Sequence, residues 1–333
     1  MDNVKLPQDD SFLTNQLVQW WYWTGHIKTE SGRRFGFELC FFAVDVEAAH
    51  LFQMIAEKIH GKDIPDDLLT VQMMNTAITD IDNQQFFSRV EYKPGPPKEI
   101  KDGFDLSNIL ASCLAQGGNG EDHLVSKVDK FELDIQIKSQ SPATIHYDGE
   151  KHEYSFGGYT YYYSRENMLG EGTLTYDGKT ENVAAQVWFD RQYGQLLQAA
   201  FLIGWQWFAI QLDDDIQVML FAYHDKKEHM GSISYSDGST VALGADDFSV
   251  TILDHWKSPH TGRKYPSKWQ AKFKNFDLLI TPSVADQELY EPWLFPKYWE
   301  GACSVTGSHN GSAYVELTGY ARHKLLAEIL EKL

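Results

Sequence analysis

The segment Gln186–Gly194, QVWFDRQYG, sets a carboxyl, a guanidinium and three aromatic rings within one short run. Read as a strand, it sends Trp188 and Asp190 to one face and Phe189 and Arg191 to the other, because strand side chains alternate. A carboxyl that shares a face with an indole, in a chain full of apolar rings, is a candidate for burial. Burial raises a carboxyl pKa and can keep the acid protonated at neutral pH, ready to donate a proton. Pairing with Arg191 would oppose this, since a nearby cation holds a carboxylate ionised. The structural alternative is a strand-ending Asp that caps the next turn, with Arg191 in a surface ion pair. Residue chemistry alone leaves the two readings balanced.

Trp20-Trp21-Tyr22-Trp23 puts heavy rings on both faces of a strand. At least one pair must be core, and the other is as well suited to the wall of a ligand site. Glu300, in Tyr298-Trp299-Glu300-Gly301, and Glu316, in Tyr314-Val315-Glu316, also sit among rings. Glutamates on barrel strands commonly satisfy donors at a rim, so the structural reading is preferred there. There is no GxSxG, HExxH, GxGxxG or Walker sequence. His224 and His229 are the nearest approach to a metal pair and do not make a ligand spacing, so neither a metal nor a cofactor is expected.

The elements that must hold these residues are short strands. LVQWWYWTG (17–25) and RFGFELCFF (34–42) make a hairpin across a Gly-containing turn. Val46–Lys62 and Leu106–Leu114 have helical spacing, and Gln72–Ile81 is extended. From Val125 strand follows strand: Lys130–Lys138, Tyr159–Ser164, Gly172–Tyr176, Val183–Phe189, Trp205–Leu212, Gln217–Tyr223, Ser232–Tyr235, Val250–Leu253, Lys272–Leu279, Trp299–Thr306 and Ala313–Tyr320. Polar turns separate many of them, which predicts an antiparallel sandwich or barrel. Ala321–Leu333 closes the chain as an amphipathic helix.

The 333 residues carry 29 Lys and Arg against 47 Asp and Glu, a net charge of −18. A polyanion repels phosphate backbones and anionic membranes, so no nucleic acid and no membrane surface is expected as partner. Aromatic content of 14% beneath an acidic exterior points to an apolar small molecule. No apolar run reaches the ~18 residues of a membrane span. The polar N-terminus and three scattered cysteines (Cys40, Cys113, Cys303) read as a cytoplasmic protein with reduced thiols.

Taken in order, WWYWTG, GRRFGFELCFF, YYYSRENMLGEGTL, QVWFDRQYG, WQWFAIQLDDD, YPSKWQ and YWEGACSVTGSHNGSAYVELTGY resemble the lipocalin-like family of carotenoid 1,2-hydratases (hydroxyneurosporene synthases) and the related AttH proteins. The resemblance covers nearly the whole chain. It implies an all-β protein of two consecutive lipocalin-like antiparallel β-barrel domains, 1–196 and 197–333, with a few short helices. It implies that Asp190 is the acid, with Trp188 and Tyr193 acting beside it. Trp21, Tyr22, Trp23, Arg191, Trp205 and Trp207 are the candidates to line a substrate site. Gln19 stands where the family often has Glu, and Gln192-Tyr193 replaces the more usual Glu-Trp, so carboxylates near the implied site are lost.

The chemistry so implied is cofactor-independent: protonation of a C=C bond in an apolar isoprenoid or polyene, followed by hydration or cyclisation. Two alternatives stand beside it. One is a non-catalytic lipocalin-like binder of a hydrophobic ligand. The other is a pericyclic template of the Diels–Alderase type, where positioning alone supplies the rate.

Overall fold

The alternating segments do form strands in the computed structural model, which describes residues 3–14, 16–45, 70–107, 112–196, 204–291 and 297–320. The chain divides into two compact units, Met1–Leu197 with Ser236–Ser239, and Gln198–Tyr235 with Thr240–Leu333.

In the first unit the strands are β1 (Val18–Thr29), β2 (Arg34–Asp45), β3 (Thr70–Asp80), β4 (Gln85–Pro94), β5 (Phe104–Ser107), β6 (Leu114–Gly118), β7 (Glu121–Val128), β8 (Phe131–Ser139), β9 (Thr144–Ile145), β10 (His152–Glu153), β11 (Tyr159–Tyr176) and β12 (Lys179–Gln195). They make one antiparallel sheet in the order β4-β3-β2-β1-β12-β11-β8-β7-β6-β5, with β9 and β10 attached to β11. Tight turns set the register: Asp177-Gly178, both at positive φ, joins β11 to β12, and Asn119-Gly120 joins β6 to β7 in the same way. The sheet curls until its ends approach. Thr76 Oγ1 of β3 lies 2.5 Å from Ser126 Oγ of β7, and Phe87 of β4 packs on Phe131 of β8 at 5.1 Å. The core fills the curl with Trp21, Trp23, Phe35, Phe37, Phe189 and their neighbours.

The second unit holds β13 (Trp205–Leu212), β14 (Gln217–Tyr223), β15 (Met230–Ser234), β16 (Thr240–Leu243), β17 (Phe248–Lys257), β18 (Lys264–Phe273), β19 (Phe276–Pro282), β20 (Glu288–Leu289), β21 (Tyr298–Gly307) and β22 (Gly311–Leu317). Their order is β16-β15-β14-β13-β22-β21-β19-β18-β17, with β20 on β21. This sheet curls as well. Phe208 of β13 meets Trp269 of β18 edge-on, and Trp269 Nε1 donates to Gln206 Oε1 at 2.9 Å. Both sheets are half-barrels of the expected all-β kind.

Some expectations need correction. Leu106 and Leu114 do not begin and end a helix: both lie in strands, and Leu106 pairs with Ala115 inside the core. Burial of that pair outweighs the helical spacing. Lys272–Leu279 is two strands, not one, because Lys274 takes a left-handed φ of 46° between them. The turn lets Phe273 and Phe276 stack at 4.8 Å. Tyr159–Ser164 and Gly172–Tyr176 are parts of the single strand β11. The helices expected at Val46–Lys62 and Ala321–Leu333 lie outside the described residues. Among those described, helical structure is limited to short 3-10 turns, and no helix is long and apolar enough to cross a membrane.

The segment ahead of β1 is tied into the first unit by buried charge. Asp10 accepts both terminal nitrogens of Arg165, at 2.8 and 2.9 Å, together with the Tyr163 hydroxyl and the Asn119 amide. Its carbonyl accepts the Trp21 indole at 2.7 Å. Removing one partner of a buried pair leaves the other charge uncompensated. Asp10→Ala should therefore lower unfolding free energy by about 3–5 kcal/mol in urea titration. A loss below ~1 kcal/mol would show that the segment does not brace the barrel.

Candidate functional site

Asp190 lies within β12, not at a strand end, and register dictates its neighbours. Tyr22 of β1 stands opposite it on one side and Ser164 of β11 on the other. The shared face continues through Trp188 and Gln192 of β12, Thr24 of β1 and Tyr162 of β11. The opposite face of the same three strands, with Trp21, Trp23, Tyr163, Phe189 and Tyr193, is the core of the unit. The candidate site is thus on the sheet face away from the barrel core.

A bulge decides which residue meets Asp190. From the turn, β11 and β12 pair regularly from Tyr176 opposite Lys179 to Met168 opposite Val187. Continued unchanged, that register would set Arg165 opposite Asp190. Instead it slips between Arg165 and Met168, so Ser164 faces Asp190 and Arg165 faces Phe189. Arg165 is turned to the core side, where it binds Asp10. Gly194 ends the motif because β11 crosses closely there: a Cβ would stand 2.3 Å from the Tyr159 carbonyl oxygen.

Asp190 is 4% exposed and every hydrogen bond it accepts here comes from a neutral donor. Tyr162 donates to Oδ2 at 2.5 Å, while Ser164 and the Trp188 indole donate to Oδ1 at 2.6 and 2.7 Å. Burial pushes its pKa up, and the bonds from Ser164, Tyr162 and Trp188 pull back, leaving it at about 6. His146 completes the surroundings: its Nε2 is 2.9 Å from Ser164 Oγ, and its ring packs on Tyr162 at 4.1 Å. The imidazole is buried and its pKa is driven down to about 3 by desolvation, so it is neutral. Gln192 donates to Thr160 Oγ1 and to the Tyr154 hydroxyl.

Arg191 does not pair with Asp190. On the core side it is fully buried, and it donates to the carbonyls of Asp9, Ser11, Trp20 and Gln192 and to Gln19 Oε1. Its charge stands 3.9 Å over the Trp21 ring, and desolvation lowers its pKa to about 10. Tyr193 also belongs to that side, with its hydroxyl donating to Asp9 Oδ2 at 2.6 Å. Trp21 and Trp23 bond Asp10 and Asp122 in the core. Of the expected first-unit residues, then, Trp188 and Tyr22 join Asp190, whereas Tyr193, Arg191, Trp21 and Trp23 do not. Gln19 lies on the core side too, opposite Tyr193 and bonded to Arg191.

Tyr162, Ser164 and His146 are not among the residues that sequence reasoning singles out. The first two lie in the quoted YYYSRENMLGEGTL run, and only the strand pairing gives them meaning. His146 carries no signal.

In the second unit Trp205 and Trp207 lie on the face of β13 away from that unit's core, which takes Phe208 and Ile210 instead. Glu316 pairs with Trp207 on one side and with Glu300 on the other. Burial, then the neighbouring Glu316 charge, push Glu300 well above the usual carboxyl range. Glu300 is not a rim group, being 1% exposed, whereas Glu316 is half-buried. No group of three or more His, Cys, Asp or Glu able to hold a metal occurs among the described residues.

These curled antiparallel sheets define a lipocalin-like β-barrel fold. The AttH-like family model matches residues 1–320, and the chain belongs to that family. Its fold is similar to that of an AttH-like protein of Nitrosomonas europaea, at 21% identity over 96% of this chain and 98% of the other, with a TM-score of 0.81. It is also similar to kievitone hydratase from Nectria haematococca, at 17% identity over 95% and 93%, with a TM-score of 0.72. No curated protein matches the sequence.

The raised pKa of Asp190 has a consequence for stability. Between its ordinary value of 3.8 and about 6 the native state holds a proton that the unfolded state has lost, so stability falls as pH rises through that window. Asp190→Asn should remove on the order of 2–3 kcal/mol of that fall. Urea midpoints for both proteins at pH 4 and 7 measure it, and parallel pH profiles would refute a protonated native Asp190.

Proposed function

We propose that the chain is a cofactor-independent enzyme of hydratase or cyclase type, with Asp190 as the acid that protonates a C=C bond of an apolar isoprenoid or polyene. The observation that carries this is a buried carboxyl whose hydrogen bonds come from neutral donors only, and which burial raises to about 6. Such an acid stays partly protonated near neutral pH, and the hydrogen bonds from Ser164, Tyr162 and Trp188 stabilise the carboxylate left when it gives up its proton.

In the step, the O–H bond of Asp190 breaks and the alkene π pair forms a C–H bond. A carbocation is left on the second carbon and a carboxylate on Asp190. The rings of Trp188, Tyr22 and Tyr162 share the acid's face, and an aromatic face stabilises a desolvated cation by ~2 kcal/mol or more. Water, or an internal double bond or hydroxyl, closes the reaction and returns a proton to solvent or to the carboxylate. Kievitone hydratase, named for a hydration, has the same fold, which supports the reading of reaction type.

The substrate is sought by mass spectrometry of an organic extract of freshly purified protein and by a panel of isoprenoid and polyene alkenes. In heavy water the product should carry one solvent-derived deuterium on carbon. The rate should fall as pH rises above about 6, where the acid is lost. Asp190→Asn should cut turnover by at least ~100-fold with an unchanged circular dichroism spectrum. A product free of solvent deuterium would favour the pericyclic template, and an unaltered extracted ligand with no turnover would favour a binder.

A further inference from the structure

We propose that Ser164 and His146 form a proton relay that recharges Asp190, with His146 as its entry point; this rests on Asp190 being the acid. After it has protonated a substrate, Asp190 is a buried carboxylate that must regain a proton. Of its three donors, the Trp188 indole can only donate and cannot pass a proton on. A hydroxyl can donate and accept, and the structure places a titratable ring directly behind the Ser164 hydroxyl.

Proton counting fixes the polarity of this chain. Ser164 has a single hydroxyl hydrogen. With Asp190 ionised, that hydrogen points to Oδ1 at 2.6 Å. The 2.9 Å contact between Ser164 Oγ and His146 Nε2 is then a donation from Nε2–H. Recharging proceeds when Nδ1 of His146 takes up a solvent proton. The Nε2–H bond breaks as a new O–H bond forms on Ser164, and the original Ser164 O–H breaks as O–H forms on Asp190 Oδ1. One proton has entered, the carboxylate has become a neutral acid, and His146 is neutral again in the Nδ1–H tautomer. Ser164 now donates to Nε2 and accepts from Asp190. The depressed basicity of His146 suits this task, because its cation is only a transit state.

The ring is held for it. β9 pairs with β11 at Thr144 opposite Ser164 and Ile145 opposite Tyr163, which carries the next residue, His146, against the Tyr162 ring, with its Nε2 reaching Ser164 Oγ. Tyr147 and Asp148 then both adopt left-handed φ of 55°, and Gly149 follows at 80°. Consecutive non-glycine residues in that region are strained and persist only where surroundings impose them. The Val4 amide donates to the Gly149 carbonyl at 2.8 Å and ties the turn down. Among the described residues the titratable groups facing this chain are Tyr22 on β1, Tyr162 and Glu166 on β11, and His146. Glu166 accepts from Thr144 Oγ1, while Glu38 and Cys40 of β2 stand one strand beyond Tyr22 and Thr24.

The test needs no substrate. Full-length protein with 15N-labelled histidine is titrated from pH 4 to 8, reading the His146 tautomer by NMR and the Asp190 carboxyl by infrared difference against Asp190→Asn. The expected result is a switch of His146 from Nε2–H at high pH to Nδ1–H at low pH, in step with the Asp190 carboxyl band. In Ser164→Ala the band should still titrate while His146 keeps one tautomer throughout. A wild-type His146 that stays Nε2–H while Asp190 titrates overturns the relay alone, as does a switch that survives Ser164→Ala. A carboxyl band that never titrates overturns the acid assignment and the relay together. The wild-type titration decides the matter even if the variant does not fold.

Discussion

Everything at the candidate site depends on which side chain faces Asp190, and a one-residue slip in the β11–β12 pairing settles it. Without the bulge beyond Arg165, a guanidinium would lie opposite a buried carboxyl. Such a pair holds the acid ionised by one to three pKa units, and the group becomes structural. With the bulge, a hydroxyl takes the place of the cation, and Arg165 and Met168, three residues apart, both turn to the core. The neighbouring Arg191 is removed by a simpler rule. Adjacent strand residues point to opposite faces, so Asp190 and Arg191 never meet and each must be satisfied separately. Carbonyl oxygens and an indole face serve the cation, and neutral donors serve the acid. A bulged pairing and strict alternation together produce a carboxyl that is buried without a cation beside it.

Period-two alternation made much of this fold legible. β13 and β14 have the bounds their apolar patterns predict, and the division of Trp188 and Asp190 from Phe189 and Arg191 follows from spacing alone. The same rule, applied further, puts Tyr193 three residues from Asp190 and therefore on the core side. Trp21 and Trp23 are excluded from the site by pairing: Tyr22 is opposite Asp190, so its neighbours must face away. What remained illegible was long-range register. Tyr162 and Ser164 reach Asp190 across a hairpin whose count from the Asp177-Gly178 turn fails at the bulge, and nothing in the sequence marks where that slip falls. His146 arrives by a two-residue strand and a left-handed turn, elements too short for any periodicity to reveal. The Leu106–Leu114 segment misled for the opposite reason, since helical spacing survived in residues that pairing pulls into two strands.

The N-terminal segment and the site draw on the same strands from opposite faces. Asp9, Asp10 and Ser11 are bound by Tyr193, Arg165, Tyr163 and Arg191, residues that alternate with Gln192, Asp190, Tyr162 and Ser164. Fixing one set of side chains fixes the backbone that carries the other. Buried ion pairs contribute little net stability on average, but they disfavour misregistered alternatives. On β11 and β12 a misregister of one residue would exchange the faces and carry Asp190 into the barrel core.

A raised pKa alone would not have selected Asp190. Asp122 is as buried, also takes an indole hydrogen bond, and is pushed higher, to about 7, by desolvation. The partners separate the two acids. Asp122 accepts from the Trp23 indole and the Gly118 amide, N–H groups that can only donate, and Arg165 is close enough to lower its pKa. Those bonds favour the ionised form, so a proton on Asp122 is a response to burial that its partners resist. Asp190 has two hydroxyls among its three partners, and a hydroxyl that donates to the carboxylate can turn and accept from the acid. Its surroundings accommodate both protonation states with little rearrangement. A group that must cycle between acid and carboxylate needs that ambivalence more than it needs a particular pKa, and between Asp122 and Asp190 only Asp190 has it.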